Sequence, residues 1–425
     1  MIKRNLDKIY KQTIKNINPI RLIESNIKLI NNNLHIKKKV VNLNSINDIY
    51  IISFGKGSVN MALGLKKILK KKIKNGIIVT NQNINKKISK FDVIQSSHPI
   101  PTQQSINATN KIIKILKHSK ENDLIIFLIS GGGSSLIAKP ENNITLKEKK
   151  IINNILLKSG LKISDINDIR KLISSIKGGK LLKHTYPSYV CNIIISDVVN
   201  GKAEDISSGP TTYKKNNYNI KNLKIFKKRL SKNVIKKISA IKKFNIKDYN
   251  TSKFENHIIA DNKFALEKAK EASLKLGYEV IMYSVNLEGE ARKVAASLAK
   301  YIKNVKPKLK PICIILGGET HVTVEGNGKG GRNTEFALAF SIEIMKSKKI
   351  SALFAGTDGV DGKTDAAGAY CDGKTIINGL KKGMDANKYL KSNNSYNFFK
   401  KLNLLKKTGP TGVNMNDIGL IIVDI

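Results

Sequence analysis

The sequence predicts an α/β fold in two domains, the first with a mainly parallel sheet. The chain has 425 residues, more than one hydrophobic core usually accommodates. Short apolar runs, several ending in glycine, alternate with stretches of helical periodicity, which is the pattern of parallel strands joined by helices. The alternation restarts after a Lys- and Asn-rich stretch at 213–256. We therefore predict an N-terminal α/β domain over 1–245 and a C-terminal α/β domain over 246–425.

The first domain is predicted to begin with helices and continue with buried strands. Residues 1 to about 45 carry apolar residues at helical spacing, which predicts amphipathic helices. Residues 141–186 are predicted to be helical, and 213–256 is the linker candidate. The predicted strands, short apolar runs typical of a buried sheet, are Ile49–Phe54, Gly76–Thr80, Asp123–Ser130 and Val190–Ile195.

The second domain repeats this pattern. Helices are predicted up to Leu276, over Glu290 to Val305, and from near Arg332. No internal repeat of 20 to 50 residues is present, which disfavours a solenoid. The predicted strands are His257–Ala260, Glu279–Val285, Ile312–Leu316, Val322–Glu325, Leu353–Ala355 and Leu420–Val423.

The formal net charge of +44 raises nucleic-acid binding as a function class. Only six of the 76 basic residues are arginines, however, and the lysines are spread along the chain together with abundant Ile and Asn. Proteins that read bases or clamp phosphates favour the planar fork of Arg. The composition therefore points to A+T-rich coding DNA, and specific nucleic-acid binding is a minor alternative.

The cysteines and the apolar segments indicate a cytoplasmic protein. Cys191, Cys313 and Cys371 are far apart and lack the spacing of a metal site, so buried free thiols are expected. No window approaches 18 uninterrupted apolar residues, and the N-terminal segment lacks the features of a signal peptide. We expect the cytoplasm as the location and no membrane partner.

A serine-glycine motif, Ser130-Gly-Gly-Gly-Ser-Ser135, follows one predicted strand. The carboxyl ends of parallel strands are where open α/β sheets bind ligands. Glycines allow backbone amides to approach an anion closely, and the serine hydroxyls add donors. We interpret the motif as an anion cradle; the alternative is a flexible turn.

Two further strand ends carry charged residues. Lys56 lies between two glycines after the first buried strand, where an ammonium group can bind phosphate. Asp197 follows Val190–Ile195 and could accept a hydroxyl proton or hold Mg²⁺. The alternatives are a solvated lysine and a turn-forming or helix-capping aspartate.

The segment Gly326-Asn-Gly-Lys-Gly-Gly-Arg-Asn333 matches the dinucleotide-binding pattern G-x-G-x-x-G. No acidic residue clearly ends a strand about 20 residues later, where a ribose would need it. We prefer an anion loop in which Arg332 supplies a permanent, planar charge, since an Arg in so Lys-rich a chain suggests a need for bidentate geometry. A surface Arg is the alternative.

Two weaker signals complete the candidates. Asp358 lies in the Gly- and Asp-rich segment 356–362, which suits Mg²⁺ or hydroxyl binding, although Asp-Gly turns explain it almost as well. His98 is an isolated imidazole, and none of the six histidines has the spacing of a zinc site.

Taken together, these segments resemble the glycerate 2-kinases of the MOFRL class. The resemblance covers most of the chain and runs in order through both halves. It rests on FGKGSVNMA (54–62), SSHPIP (96–101), SGGGSSLIAKP (130–140), DIRKLISSIKGGKL (168–181), ISDV (195–198), SSGPT (207–211), GGETHVTVEGNGKGGRNTEFALA (317–339), GTDGVDGKTDAAGA (356–369) and TGPTGVNMND (408–417).

The resemblance implies a Rossmann-like three-layer N-terminal domain, a smaller C-terminal α/β domain, and phosphorylation of D-glycerate to 2-phosphoglycerate with ATP and Mg²⁺. It assigns catalytic roles to Lys56, Asp197 and Arg332. It leaves the metal ligands unassigned and the oligomeric state, including a homodimer, open. The residues predicted to bind substrate or phosphate are Ser130, Gly131, Gly132, Gly133, Ser134, Ser135, Lys177, Gly330, Gly331 and Asp358.

The main alternative is an NAD(P)H-dependent hydroxypyruvate reductase, a label that members of this family often carry. A reductase needs a dinucleotide platform and a proton donor for a carbonyl. A kinase needs several anion-binding elements around one phosphate chain, and the sequence supplies several such elements without a clear ribose-binding acid.

Overall fold

The computed structural model describes residues 2–198, 201–213, 226, 229–242, 244–248 and 253–425. The chain folds into two compact units. The N-terminal unit comprises Pro19–Ser196 and Gly201–Ile259, and the C-terminal unit comprises Met1–Asn18, Asp197–Asn200 and Ala260–Ile425. The predicted boundary after residue 245 stays a prediction. In the structure, the first helix groups with the C-terminal residues.

The elements before residue 200 are α1 (Ile2–Asn16), α2 (Pro19–Asn26), β1 (Ile27–Ile30), β2 (Asn33–Ile36), β3 (Lys39–Asn42), β4 (Ile49–Phe54), α3 (Ser58–Leu69), β5 (Ile73–Thr80), β6 (Phe91–Gln95), α4 (Gln103–Leu116), β7 (Leu124–Ile129), α5 (Gly133–Leu136), α6 (Leu146–Leu157), α7 (Ile163–Leu172) and β8 (Tyr189–Ile195). Those after it are α8 (Lys232–Ser239), β9 (Phe254–Ala260), α9 (Asn262–Lys275), β10 (Glu279–Glu290), α10 (Ala291–Lys303), β11 (Ile312–His321), α11 (Arg332–Glu343), β12 (Ile350–Gly356), β13 (Gly368–Asp372), α12 (Thr375–Lys381), α13 (Ala386–Lys391), α14 (Ser395–Lys401), β14 (Leu405–Lys406) and β15 (Asp417–Val423). Among the described residues, no helix has the length and apolar character needed to cross a membrane.

The N-terminal unit is built on a sheet in the order β6-β5-β4-β7-β8-β9. The neighbouring pairs from β6 to β8 are parallel. All residues of β4 and β7 are buried, as expected for central strands covered on both faces. The carboxyl ends of β4, β7 and β8 therefore lie along one edge, and the motifs with Lys56, Ser130 and Asp197 follow these ends.

The C-terminal unit contains a mixed sheet in the order β10-β11-β15-β12-β13-β14. β10 and β11 are parallel, whereas β15 runs antiparallel to both β11 and β12. Asp417, the first residue of β15, pairs with Gly318 on one side and Gly356 on the other. The predicted α/β fold class, with a mainly parallel sheet in the N-terminal part, is confirmed, and so are the three cysteines as free, buried thiols.

The predicted helices over residues 1 to about 45 are correct only as far as α2. Residues 27–42 instead form the antiparallel sheet β1-β2-β3. Asn31 and Asn32, with φ of 45° and 63°, form the turn between β1 and β2. Asparagine tolerates this left-handed backbone, which suits the tight turn of a hairpin. Each of these strands has only four residues, which is too short to be distinguished from a helical pattern in the sequence.

The predicted strand Val322–Glu325 is wrong, because β11 ends at His321. The backbone N–H of Thr323 binds the Glu290 carboxylate, and that of Glu325 binds the Asn393 side chain. These side chains supply the hydrogen-bond acceptors that a neighbouring strand would otherwise supply. The linker predicted at 213–256 falls partly outside the described residues, and its described part contains the helix α8 and the first residues of β9.

Candidate functional site

The serine-glycine loop is anchored at the carboxyl ends of β4 and β7. The N–H of Ser130 donates to the carbonyl of Phe54 at 3.1 Å, and the N–H of Lys56 donates to the carbonyl of Gly131 at 2.8 Å. The N–H of Gly57 donates to the Ser130 hydroxyl at 3.0 Å. The two motifs that the sequence placed at separate strand ends therefore form one hydrogen-bonded unit.

Glycine is required where these two loops touch. Gly55 has φ +123°, and a Cβ there would lie 2.2 Å from the Ser130 Oγ. Gly132 has φ +82°, and a Cβ there would lie 3.1 Å from the His98 ring and 3.3 Å from Lys56 Cγ. A larger residue at Gly55 would clash with Ser130, and one at Gly132 would crowd the His98 and Lys56 side chains, so glycine allows the two loops to lie against each other.

Lys177 reaches the same loop from the segment that follows α7. Its ammonium group donates to the Ser134 hydroxyl, which lies 3.1 Å from the Ser208 hydroxyl. The backbone of 178–179 pairs with Ser208 and Gly209 at 3.0 and 2.7 Å. The motifs 130–135, 177–179 and 207–210 thus converge, as expected of anion-binding elements.

Lys180 holds the turn that carries Lys177. Its ammonium group donates to the carbonyl oxygens of Lys171, Leu172 and Ser174 at 2.6–3.2 Å and pairs with Glu141 at 2.6 Å. All its donors are directed at protein oxygens, so Lys180 is a structural residue.

A cavity of about 230 Å³ lies next to the serine-glycine loop. Among the described residues that line it are Ser134 and Ser135 of the loop, together with Lys149, Arg170 and Lys177. None of the described lining residues is Asp or Glu. A concave surface with three cations and no carboxylate is suited to anions.

Lys149 and Arg170 were not predicted as site residues from the sequence. Lys149 belongs to α6, which begins with a capping box in which the Thr145 hydroxyl and the Glu148 carboxylate each accept the other residue's N–H. The capping box could have predicted where the helix begins. In a chain so rich in lysine, however, nothing in the sequence distinguishes Lys149 as a site residue. Arg170 could have been found, because the argument from arginine scarcity applies to it as it does to Arg332.

Burial weakens the charge of both cavity lysines. Burial, followed by the nearby charge of Lys180, lowers the pKa of Lys149 to about 7. Burial, followed by the charges of Lys149 and Arg170, lowers the pKa of Lys177 well below its ordinary value. Because burial disfavours the charged forms of these lysines, an anion that binds beside them stabilises the charged forms and raises their pKa.

In the C-terminal unit, Arg332 is the first residue of α11 and is paired with two carboxylates. Its Nε and Nη2 donate to Asp417 at 2.5 and 3.1 Å, and its Nη1 lies 3.1 Å from Glu319. Burial opposes the charge of Arg332, but the Asp417 and Glu319 carboxylates outweigh it and raise its pKa above the ordinary value. The planar fork predicted for Arg332 is present, and it is used on Asp417.

Asp361 fixes the beginning of α11. It is fully buried and accepts the N–H groups of Asn333 and Thr334 at 2.9 and 2.8 Å and the Thr334 hydroxyl at 2.7 Å. Burial raises the pKa of Asp361 to about 6 despite these hydrogen bonds. A Cβ on Gly331 would lie 2.4 Å from its carboxylate. Asp361 therefore holds the turn that orients Arg332.

The glycine-rich loop 326–331 is bonded to its own unit. The N–H groups of Gly326 and Lys329 donate to the side chains of Asn393 and Asn394 at 2.9 and 3.1 Å. The N–H of Gly328 donates to the carbonyl of residue 392 at 2.9 Å. A pyrophosphate-binding loop needs such amides directed at the ligand, so this geometry departs from both the dinucleotide and the anion-loop interpretations. Ligand binding by Gly330 and Gly331 stays a prediction.

Asp197 and Asp358 also group with the C-terminal unit. The Asp197 carboxylate accepts the Asn414 amide at 3.1 Å. The Asp358 side chain accepts the N–H of Val360 at 3.1 Å, as in an ordinary Asp-Gly turn. Within the described parts of the chain, no group of three or more His, Cys, Asp or Glu side chains is arranged to hold a metal ion.

The predicted residues thus fall into two clusters. Each cluster lies within one unit, and their assignment to ligands stays a prediction. The N-terminal cluster contains Lys56, Ser130, Gly131, Gly132, Gly133, Ser134, Ser135 and Lys177. The C-terminal cluster contains Asp197, Gly330, Gly331, Arg332 and Asp358.

Comparison with known proteins assigns both halves of the chain. Residues 5–241 match a family described as a domain of unknown function, DUF4147. Residues 312–417 match the MOFRL family. These two ranges contain all of the motifs singled out above.

Full-length relatives and a solved structure agree with this assignment. A D-glycerate 2-kinase from Thermotoga maritima is 34% identical over 95% of this chain and 97% of its own length. A protein from Agrobacterium vitis named putative hydroxypyruvate reductase is 33% identical over 88% of this chain and 86% of its own. The crystal structure of glycerate kinase from Thermotoga maritima superimposes with a TM-score of 0.85 at 32% identity, covering 99% of both chains.

The predicted resemblance is therefore confirmed, and the chain belongs to the DUF4147/MOFRL glycerate kinase family.

Proposed function

We propose that this protein is a glycerate kinase that transfers the γ-phosphoryl group of ATP to D-glycerate and forms 2-phosphoglycerate. The observation that carries the proposal is the similarity to D-glycerate 2-kinase over 95% of the chain. The cationic cavity beside the serine-glycine loop supports it, because phosphoryl transfer depends mainly on positioning and on stabilising negative charge.

The cavity fits an anionic substrate on two grounds. Lys149 is 3% exposed, and its Nζ has no hydrogen-bond partner among the described residues. The Ser134 hydroxyl at the same wall can also donate to a ligand, whereas the Ser135 hydroxyl donates to the carbonyl of Gly132 at 3.1 Å. We assign phosphate oxygens to this wall, with Lys56 beside the loop to neutralise the transferred group.

Asp197 is proposed to orient or deprotonate the acceptor hydroxyl. A carboxylate can accept that proton when it lies within hydrogen-bond reach of the hydroxyl. The Asn414 amide, which donates to the Asp197 carboxylate, restrains the orientation of that carboxylate. Replacing Asp197 with Asn would preserve the shape of the side chain and remove the group that can accept the hydroxyl proton.

Arg332 is proposed to stabilise negative charge on the transferred phosphoryl group. To do so it must give up one of the contacts it makes to Asp417 and Glu319 in the structure. The bidentate bond to the mostly buried Asp417 is retained, whereas the single contact at 3.1 Å to the half-exposed Glu319 is exchanged for a phosphoryl oxygen. Asp417 then acts as the residue that holds the guanidinium in place.

Mg²⁺ is proposed to enter with the nucleotide. Mg²⁺ is commonly held by substrate phosphates, waters and one or two carboxylates rather than by an all-protein cage. The described residues contain no preformed cluster, which suits a metal delivered as MgATP. It would neutralise charge on the phosphates. Asp197 and Asp358 are the carboxylates proposed to contact it.

The experiment is a pair of coupled assays on the same protein. ADP release with glycerate and ATP, without NADH oxidation with hydroxypyruvate, supports the kinase; the reverse pattern selects the reductase. The internally bonded glycine loop at 326–331 disfavours the reductase.

A separate binding assay tests the nucleic-acid alternative: binding of DNA or RNA near physiological salt would support that alternative. The proposed setting is the cytoplasm, where the three free thiols remain reduced.

A further inference from the structure

Two unpartnered polar atoms lie side by side on one helix and line the cavity. Lys149 and Asn153 are four residues apart on α6, so their side chains share a face. Both line the cavity, and neither Lys149 Nζ nor Asn153 Oδ1 has a hydrogen-bond partner among the described residues. Buried polar atoms are nearly always paired in folded proteins. The Lys149 ammonium group therefore lacks an acceptor, which a ligand could supply, whereas the Asn153 oxygen is an acceptor and lacks a donor.

The charges around Lys149 define that ligand. Glu141, Lys180 and Arg170 influence Lys149 directly, Lys177 is coupled to it, and His98 lines the same cavity. Glu141 is already paired with Lys180 at 2.6 Å. Three basic side chains thus remain at the cavity, Lys149, Arg170 and Lys177, without a lining carboxylate among the described residues. When both lysines are protonated, a monoanion compensates one of these three charges, whereas a phosphoryl group compensates two.

We propose that Lys149 is a further phosphoryl-binding residue of this cavity and that it takes up a proton when the phosphoryl group binds. The proposal rests on the proposed function for its biological setting, although binding itself can be measured separately. The ammonium form gains acceptor oxygens from the ligand, and Arg170 and Lys177 bind the same group. Asn153, one turn further along α6, contacts the ligand through its side-chain N–H groups, which can donate to phosphoryl oxygens.

The direction of proton transfer follows from burial. The pKa of Lys149 is lowered to about 7, so at pH 8 roughly nine-tenths of the free amine is neutral. A bound dianion favours the charged form and raises the pKa. Lys149 should therefore take up about one proton when phosphate binds at pH 8, and affinity should fall as pH rises above about 7. Burial lowers the pKa of Lys177 as well, so Lys177 can add to the proton uptake of the site.

The test uses the intact protein and inorganic phosphate in titration calorimetry at pH 8, in buffers with different ionisation heats. The dependence of the binding heat on the buffer gives the number of protons taken up. For Lys149→Met we expect proton uptake to fall by about one proton per site and phosphate binding to weaken roughly 10- to 100-fold, the scale of a lost charge-assisted hydrogen bond. The matched control is Lys147→Met, exposed on the same helix, which should behave as the unmodified protein does.

A second pair of variants keeps the test decisive if Lys149→Met fails to fold. Asn153→Asp places a carboxylate in the cavity and should weaken phosphate binding at least 10-fold. Asn154→Asp makes the same charge change at the exposed neighbouring position and should weaken binding less than threefold. Equal effects of the two substitutions, or unchanged affinity and proton uptake in Lys149→Met, overturn the proposal.

Competition identifies the source of the phosphoryl group. Displacement of phosphate by ADP assigns the cavity to the nucleotide, and displacement by 2-phosphoglycerate assigns it to the product; either result supports the proposal. Glycerate competing as well as 2-phosphoglycerate overturns it, because the cavity would then recognise a carboxylate. Failure of the proposed function is distinct: the unmodified protein would bind phosphate with proton uptake yet release no ADP with glycerate.

Discussion

Replacing Arg332 with Lys tests whether the planar guanidinium, and not merely a positive charge, is needed. Arg332 makes two hydrogen bonds to Asp417 and a third contact to Glu319. Lysine keeps the charge but has a single ammonium group on a flexible chain. It can retain one strong contact to Asp417, and it loses the second bond that fixes the orientation of the cation.

The magnitude follows from the contacts that are lost. A hydrogen bond to a charged group contributes about 1.5–3 kcal/mol. The side chain of Arg332 is 30% exposed, so we expect a loss of about 1.5 kcal/mol in the free energy of unfolding, at the lower end of that range. For turnover, a misplaced cation at a developing charge should cost roughly 10²–10³ in kcat, the scale of a lost oxyanion donor.

The assay is steady-state ADP release with glycerate, accompanied by thermal unfolding of the same preparations. The matched control is Arg21→Lys, at an exposed position on α2, which should leave kcat within about twofold. Asp417→Asn should lower kcat in the same direction as Arg332→Lys, since it removes the group that holds the guanidinium. If Arg332→Lys keeps kcat within about threefold, the planar-fork reasoning is refuted.

Three further substitutions have expected outcomes. Gly132→Ala and Gly160→Ala each place a side chain at positive φ, +82° and +70°, which should cost about 1–2 kcal/mol of stability in both; only Gly132→Ala, which crowds the loop, should lower kcat/KM, and equal kinetic effects would count against the loop as a site. Lys180→Met removes the ammonium group that holds the turn carrying Lys177 and leaves Glu141 without its partner; it should lower the free energy of unfolding by about 3–5 kcal/mol, measured by denaturant titration, and an unchanged value would refute its structural role. Asp197→Asn should lower kcat roughly 10²- to 10⁴-fold with little change in stability; retention of turnover would remove its role as proton acceptor.

The elements that could be predicted from the sequence are those with a strong local pattern. β4, β7 and β8 are apolar runs buried on both faces, and such runs are legible because every residue faces the core. The hairpin β1-β2 was missed because its four-residue strands are too short to distinguish from a helical pattern. Its turn depends on the left-handed conformation of Asn31 and Asn32, which composition alone does not reveal.

The position of α1 could not be predicted at all. Its amphipathic pattern is clear, but the pattern does not say which sheet it covers. In the structure α1 groups with the C-terminal unit, where Tyr10 donates a hydrogen bond of 2.7 Å to the carbonyl of Gly356. A helix buries its apolar stripe against whichever surface complements it, and that choice is made between residues hundreds of positions apart.

The sequence by itself determined the α/β class, the family and the motifs that supply anion-binding groups, because these reside in local patterns and in ordered similarity along the whole chain. Only the tertiary structure decided how the groups are used. It pairs Arg332 with Asp417, 85 residues away, bonds the glycine loop at 326–331 to residues 392–394, and buries Lys149 in a cavity. Pairing and burial are properties of distant neighbours, and they decide whether a charged side chain is structural, solvated or available to a ligand.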